Sequence, residues 1–215
     1  MKELLDKPED EEKLKECSAL VVDIIDTITN NKGMINNLLS VNKQDYYTYT
    51  HSVNTCIYSV GTALTMGITK KEDLLVIGLG NILHDIGKST IPAEIINKPT
   101  EKMTLLEISI YQQHVYEGVN LIKLYKRIPD GVMYPILEHH EKLSGKGYPN
   151  GLRGSQIHQC GKIASIVNLY DTLTTSRPYF KSMSPFEALS LMRNLKDDYD
   201  MDIFKSFIIM LGNKA

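Results

Sequence analysis

The sequence predicts an all-α fold from three observations. Apolar residues recur at helical rather than alternating spacing, strand signals are nearly absent, and the turn residues fall between long segments. The chain has 215 residues, 42% of them hydrophobic and 23% charged, which fits one globular domain. A chain of this length buries roughly 70–75% of its unfolded surface and needs no disulfide or structural metal to hold a core.

Each element has its own signal. Residues from about 11 to 30 form an amphipathic helix, and a short helix follows around 34 to 39. A third runs from about 46 to 66 and ends at Gly67, a C′ glycine. Thr69 and Glu72 have the spacing of a capping box. The run after them, residues 74 to 83, is apolar nearly all round and is expected at the buried centre. A second capping box, Thr104 with Glu107, opens a helix through His114 towards Tyr125, with Gly118 as its weak point. Pro129 introduces a helix ending at His139 and His140. Residues 141 to 160 are rich in Gly and Pro and form a loop whose length alone suggests a function. Helices resume at about 161 to 176, then from Ser184, Pro185 and Glu187 (N-cap, N1 proline, N3 glutamate) to 195, and from 200 to 211. No repeat, low-complexity tract or linker divides the chain.

Charge and cysteine content narrow the function. Twenty-four Lys and Arg against 26 Asp and Glu leave a formal charge of −2, so no basic field of the kind that binds a nucleic acid polymer is expected. Cys17, Cys56 and Cys160 are odd in number, widely spaced and form no CxxC pair, which suits reduced thiols. The acidic N-terminus lacks a signal-peptide core and the longest apolar stretch is far short of a membrane span. A soluble, cytoplasmic protein without membrane attachment is expected.

Six histidines stand at 51, 84, 114, 139, 140 and 158, and five of them fall at or near predicted helix ends. Antiparallel packing can bring such ends together at one end of a bundle, where metal sites are commonly built. Imidazoles with interspersed carboxylates and no thiolate suit iron, manganese or another divalent ion of that kind, and more than four ligands imply more than one ion. Two ions about 3.5–4 Å apart can share one carboxylate and a water or hydroxide that becomes the nucleophile. The adjacent His84 and Asp85 suit that task. Lys88, four residues after His84, falls on the same face if the helix continues, where its charge can neutralise a phosphate oxygen. The pattern therefore reads as phosphoester hydrolysis. His158 fits no motif and reads as a surface loop residue, and the tyrosines at 46, 47, 49 and 58 read as packing residues.

The ordered series HDIGK followed by IPAEIINKP, then HHE with GYPNGLRG, then LYDTLTTSRPY, resembles the HD-GYP family. This is a branch of the HD phosphohydrolases whose members hydrolyse cyclic di-GMP. The resemblance implies an HD-domain bundle of five core helices with additional N- and C-terminal helices and a GYP loop. We divide the chain accordingly into an N-terminal helical extension, residues 1–40, packed on the domain, and an HD-GYP domain, residues 41–215. Residue by residue, it implies metal ligation by His51, His84, Asp85, His114, His139 and His140, and a catalytic part for Asp85 and Lys88. Substrate contacts are implied for Lys88, for Gly147, Tyr148 and Pro149 of the GYP loop, and for Arg177, with Lys181 as a further cation beside it. The implied cofactors are two divalent ions, Fe or Mn. The implied partner is a cyclic dinucleotide cleaved to pGpG or GMP, with room for a diguanylate cyclase or sensor-domain partner and for a homodimer.

Several positions depart from the family pattern. The last metal-binding aspartate is Asn168 here, with Asp171 one helical turn on as a candidate substitute ligand. Tyr47 stands where members with a third metal carry glutamate, so two ions are expected. Ser144 replaces a loop aspartate, and Phe180 stands where a basic residue often follows RPY; both are expected to alter substrate affinity or choice. These departures motivate the alternative of a non-hydrolysing module that senses a nucleotide or docks on a protein. Because the net charge does not attract a dianion, Lys88, Lys142, Lys146, Arg177 and Lys181 are expected to supply a local field beside the ions.

Overall fold

The helices of this chain start and stop where nearby groups can satisfy their end amides and carbonyls. The computed structural model describes residues 10–31, 33–41, 47–125, 128–176 and 181–212. Its α-helices are α1 (Glu11–Asn30), α2 (Met34–Val41), α3 (Tyr47–Thr65), α4 (Lys71–Leu83), α5 (Ala93–Ile96) and α6 (Leu105–Gln112). They continue with α7 (His114–Lys123), α8 (Met133–Glu138), α9 (Gln159–Thr174), α10 (Pro185–Asn194) and α11 (Met201–Gly212). Short 3-10 turns lie at Ile86–Thr90, Thr100–Lys102, Asp130–Val132 and Gly154–Gln156. Among the described residues the only β pairing is an isolated bridge between Ser144 and Arg153.

The all-α expectation holds, and several of its punctuation marks are seen directly. Gly67 has φ +86° and closes α3: its N–H donates to Leu64 O and that of Ile68 to Ala63 O. The capping boxes at Thr104 with Glu107 and Ser184 with Glu187 are both formed, the second with Pro185 in the first turn.

Other expectations are corrected. The Thr69 box is not made: α4 begins at Lys71 after an N-cap at Lys70 that has no side-chain cap bond, so Glu72 stands one position too early to reach back. The helix expected from Thr104 to Tyr125 is two helices, and they part at Gln113 rather than at Gly118. Gly118 lies inside α7, where the backbone of Gly87 passes close by. The helix after Pro129 opens as a 3-10 turn and ends at Glu138, ahead of both histidines. The chain also leaves α4 at Leu83, so Lys88 sits in a 3-10 turn and not on the same helix as His84. His158 is exposed as expected but is the N-cap of α9, accepting from Cys160 N–H and stacking on Tyr134 at 3.9 Å between ring centres.

α4 is the centre, with Leu74, Ile77, Leu79, Ile82 and Leu83 buried between α1, α3 and α8. Its glycines permit that contact: a Cβ on Gly80 would fall 2.6 Å from Pro135 Cγ of α8. α3 packs in turn on α9 and α11, where Tyr58 meets Tyr170 and Phe207 edge to face. α1 buries Val21, Ile24, Ile25 and Ile28, and it packs on α3 and α4. Cys17, Cys56 and Cys160 are free and buried. Among the described residues no helix is long and apolar enough to cross a membrane.

Candidate metal centre and substrate loop

Carbonyls in the last turns of α4, α6 and α8 accept from the histidine rings that follow them. His84, just past α4, donates Nδ1–H to Asn81 O at 2.6 Å. His114, just past the break at Gln113, donates to Tyr111 O at 2.6 Å. His139, just past α8, donates to Ile136 O at 2.9 Å and Pro135 O at 3.1 Å. His51, on α3, donates to the Asp171 carboxylate at 2.7 Å. A carbonyl or carboxylate accepts only, so each of these rings carries a proton on Nδ1, and in the neutral form it presents an Nε2 lone pair to the interior. Burial keeps the rings neutral: it is the main cause lowering His51, His139 and His140, and it lowers His114 to about 4.

These lone pairs converge. His51 Nε2 and His84 Nε2 are 3.1 Å apart, and His114 Nε2 and His139 Nε2 are 3.4 Å apart. Two ring nitrogens this close can share one cation. Asp85 lies between the pairs. Its Oδ2 is 3.4 Å from His84 Nε2 and 3.7 Å from His51 Nε2, while its Oδ1 is 3.5 Å from His114 Nε2 and 3.7 Å from His139 Nε2. Two ligand groups result, His51 with His84 and Asp85, and His114 with His139 and His140. Asp85 Oδ1 and His140 Nε2 are buried with no hydrogen-bond partner, as groups reserved for a metal would be. The donor set therefore fits divalent ions.

Burial alone would raise Asp85, but the Lys88 ammonium beside it holds its carboxyl well below the usual carboxylate range. Lys88 Nζ is 2.5 Å from Asp85 Oδ2 and stands over the Tyr111 ring at 5.6 Å. The turn that carries both residues lies against α7 because Gly87 has no side chain. A Cβ there would overlap His114 O and Gly118 N.

Asp171 stands behind His51. One oxygen accepts from His51 and the other accepts from Asn54 Nδ2 at 2.8 Å, and the group is buried. Of the two readings of Asp171, a substitute ligand or a carboxylate that braces a ligand, these bonds favour the second, and Asp171 is in neither candidate ligand group. Asn168, one turn earlier on α9, is half-buried.

The loop after His140 wraps back over it. Tyr148 donates its N–H to His140 O and stacks on the His140 ring at 4.4 Å and 20°. Gly147 makes this turn possible, since a Cβ would come within 2.5 Å of three backbone atoms of residues 140–142. Glu141, 1% exposed, accepts from Asn150 N–H at 2.7 Å and Leu152 N–H at 2.9 Å, closing the loop around Pro149. Sequence reasoning named Glu141 within the HHE motif but gave it no role. A carboxylate directly after HH, followed by a Gly-rich stretch with unpaired amides, was the available signal. Ser144, whose replacement of an aspartate is expected to alter substrate affinity or choice, bonds Asp198, which also takes up the charge of Lys142. Lys181 is exposed ahead of α10. Arg177, Phe180, Tyr46 and the side chains of Tyr47 and Tyr49 lie outside the described residues.

The sequence profile of the HD domain matches residues 33–203. The chain belongs to the HD domain family. It is 32% identical over 198 residues to a cyclic di-GMP phosphodiesterase of Pseudomonas aeruginosa, PA4108, covering 91% of this chain and 47% of that protein. It is 34% identical over 162 residues to a 3'3'-cGAMP-specific phosphodiesterase of Vibrio cholerae, phosphodiesterase 2, covering 74% and 30%. This HD domain chain thus spans about half the length, or less, of these relatives. Its fold is that of Bd1817, a HDG"Y"P protein from Bdellovibrio bacteriovorus, with a TM-score of 0.82 at 23% identity over 99% of this chain and 68% of that one.

Proposed function

We propose that this chain is a metal-dependent phosphodiesterase that hydrolyses cyclic di-GMP. The observation that carries the reading is Asp85, whose two oxygens face two separate histidine groups. His51 and His84 would hold one ion, His114, His139 and His140 a second, and Asp85 both. Iron and manganese suit this nitrogen and oxygen donor set. When bound, the ions supply Lewis-acid charge and lower the pKa of a coordinated water. The names of the relatives, cyclic di-GMP and 3'3'-cGAMP phosphodiesterases, support a cyclic dinucleotide as substrate.

The chain's own residues account for the rest. Asp171 and the helix-end carbonyls hold the imidazoles in the tautomer a metal requires. Lys88, with a side chain only 22% exposed, brings a positive charge to the mouth of the site for a non-bridging phosphate oxygen. Tyr148 stays a neutral hydroxyl, since burial raises its phenol well above the ordinary value, so it can donate to an anion without repelling it. In the net reaction, water adds to phosphorus and the bond to the 3′ oxygen breaks. The proton ends on the released hydroxyl, giving pGpG, and a second cycle gives GMP.

Metal analysis of anaerobically purified protein should find about two Fe or Mn per chain. His84→Ala combined with Asp85→Ala should reduce turnover of cyclic di-GMP roughly a hundredfold or more. Full turnover in that double variant overturns the mechanism. Preference for 3'3'-cGAMP in a side-by-side assay would keep the chemistry and replace the substrate.

A further inference from the structure

The short connection between α10 and α11 reads Lys196-Asp197-Asp198-Tyr199-Asp200, and one residue of it reaches the loop that follows the histidine pair. Asp198 accepts three hydrogen bonds from consecutive loop residues. Its backbone carbonyl takes Leu143 N–H at 2.8 Å, its Oδ2 takes Lys142 Nζ at 2.9 Å, and its Oδ1 takes Ser144 Oγ at 2.5 Å. The connection is itself fixed, by Asp198 N–H to Leu195 O and by the buried ring of Tyr199.

Within the loop, residues 142–144 are the base on which the rest is closed. Gly145 N–H returns to Lys142 O, Gly154 N–H to Leu143 O, and Ser144 pairs with Arg153. Glu141 gathers the far side through Asn150 and Leu152. The loop therefore has one internal clasp, Glu141, and one external one, Asp198. Among the described residues, the hydrogen bonds that tie the loop to the α10–α11 connection all run to Asp198.

We propose that Asp198 is a positioning residue: by holding residues 142–144 it sets the seat of Tyr148 against His140, so the α10–α11 connection governs how tightly the site holds its dinucleotide. This rests on the reading of the loop as substrate-binding. Asp198 touches neither the histidines nor the phosphate and acts only through the loop.

The hydrogen bond between Ser144 and Asp198 allows a test by exchange of partners. Ser144→Asp places two carboxylates where a hydroxyl and a carboxylate now meet, and adding Asp198→Ser restores one donor and one acceptor with the polarity reversed. Two quantities are read in Asp198→Ala, Ser144→Asp and the Ser144→Asp/Asp198→Ser double variant: amide hydrogen exchange of residues 142–154, and KM and kcat for cyclic di-GMP with Mn²⁺. Both single variants should raise KM and the exchange rate roughly tenfold, with kcat within about twofold, and the double variant should recover both readings to within about threefold. Unchanged KM and exchange in Asp198→Ala overturn the proposal. So does a parallel fall in kcat and melting temperature that the double variant does not repair, since that is a structural role alone. Should the wild type hydrolyse no cyclic dinucleotide, the reading of the reaction falls, and the exchange rates by themselves still uphold or overturn the role of Asp198.

Discussion

At the scale of single residues, the histidine tautomers decide what the site can bind. His51 differs from the other ring donors because its Nδ1–H goes to a side chain, Asp171, and not to a helix-end carbonyl. Asp171→Asn offers the ring a donor as readily as an acceptor, so the proton can move to Nε2 and the lone pair be lost. We expect roughly 10–100-fold weaker binding at the ion held by His51 and His84, the scale found for partners that orient metal-ligating histidines. Metal analysis after dialysis should show content falling from about two towards about one per chain, with the His114, His139 and His140 group still filled. Retention of both ions would mean that Asp171 only packs. The candidate ligands, five histidines and Asp85, were legible because their residue types and order form a motif. The choice between two readings of Asp171 was not, because spacing along α9 cannot tell whether a buried carboxylate points at an ion or at the ring that would hold it.

At the scale of elements, helix termini do the positioning, and the break at Gln113 is the instructive case. A continuous helix would commit Tyr111 O to the amide four residues on; the break releases it to His114 Nδ1. No Gly or Pro marks residue 113, so the sequence predicted the flanking helix start at Thr104 and placed the weak point at Gly118 instead. Gly118 has another task, admitting the backbone of Gly87 against α7. The external clasp on the loop was illegible for a similar reason, since Asp198 and Ser144 are 54 residues apart and only packing joins them. Its electrostatics predict a pH dependence. Burial alone would raise Asp198, but bonds from Ser144 and Lys142 outweigh it and hold its carboxyl below the ordinary aspartate value. A carboxylate lowered in the folded state stabilises fully above its unfolded value, and that contribution is lost as pH falls through the folded one. The stability difference between wild type and Asp198→Asn should therefore be constant from neutral pH down to about 5 and shrink as pH drops below about 4. Denaturant titrations across that range measure it, and a difference that grows on acidification would contradict the assignment.

At the scale of the whole molecule, the formal charge of −2 says little about where a dianion binds. Positive charge is local, at Lys88 and at the ions the two histidine groups would hold. Those groups come from different parts of the bundle, one from α3 and the end of α4, the other from the start of α7 and the end of α8, and Asp85 stands between them. All-helix periodicity made the bundle legible from sequence, and the convergence of its ends followed from the histidine positions. The unfolded chain cannot reproduce this convergence, so ions that bind the folded state stabilise it by mass action. An ion at a hundred times its dissociation constant contributes about 2.7 kcal/mol. For a chain of this size that is a rise in melting temperature of roughly 5–10 °C per ion. Adding Mn²⁺ or, anaerobically, Fe²⁺ to chelator-treated protein should therefore raise the melting temperature in a concentration-dependent way, and chelator should reverse the rise. The His84→Ala/Asp85→Ala double variant should lose most of the response, because it loses a nitrogen from one group and the carboxylate that serves both. A wild-type melting temperature indifferent to either ion at millimolar concentration would refute metal binding at these residues, whatever the outcome of the activity assay.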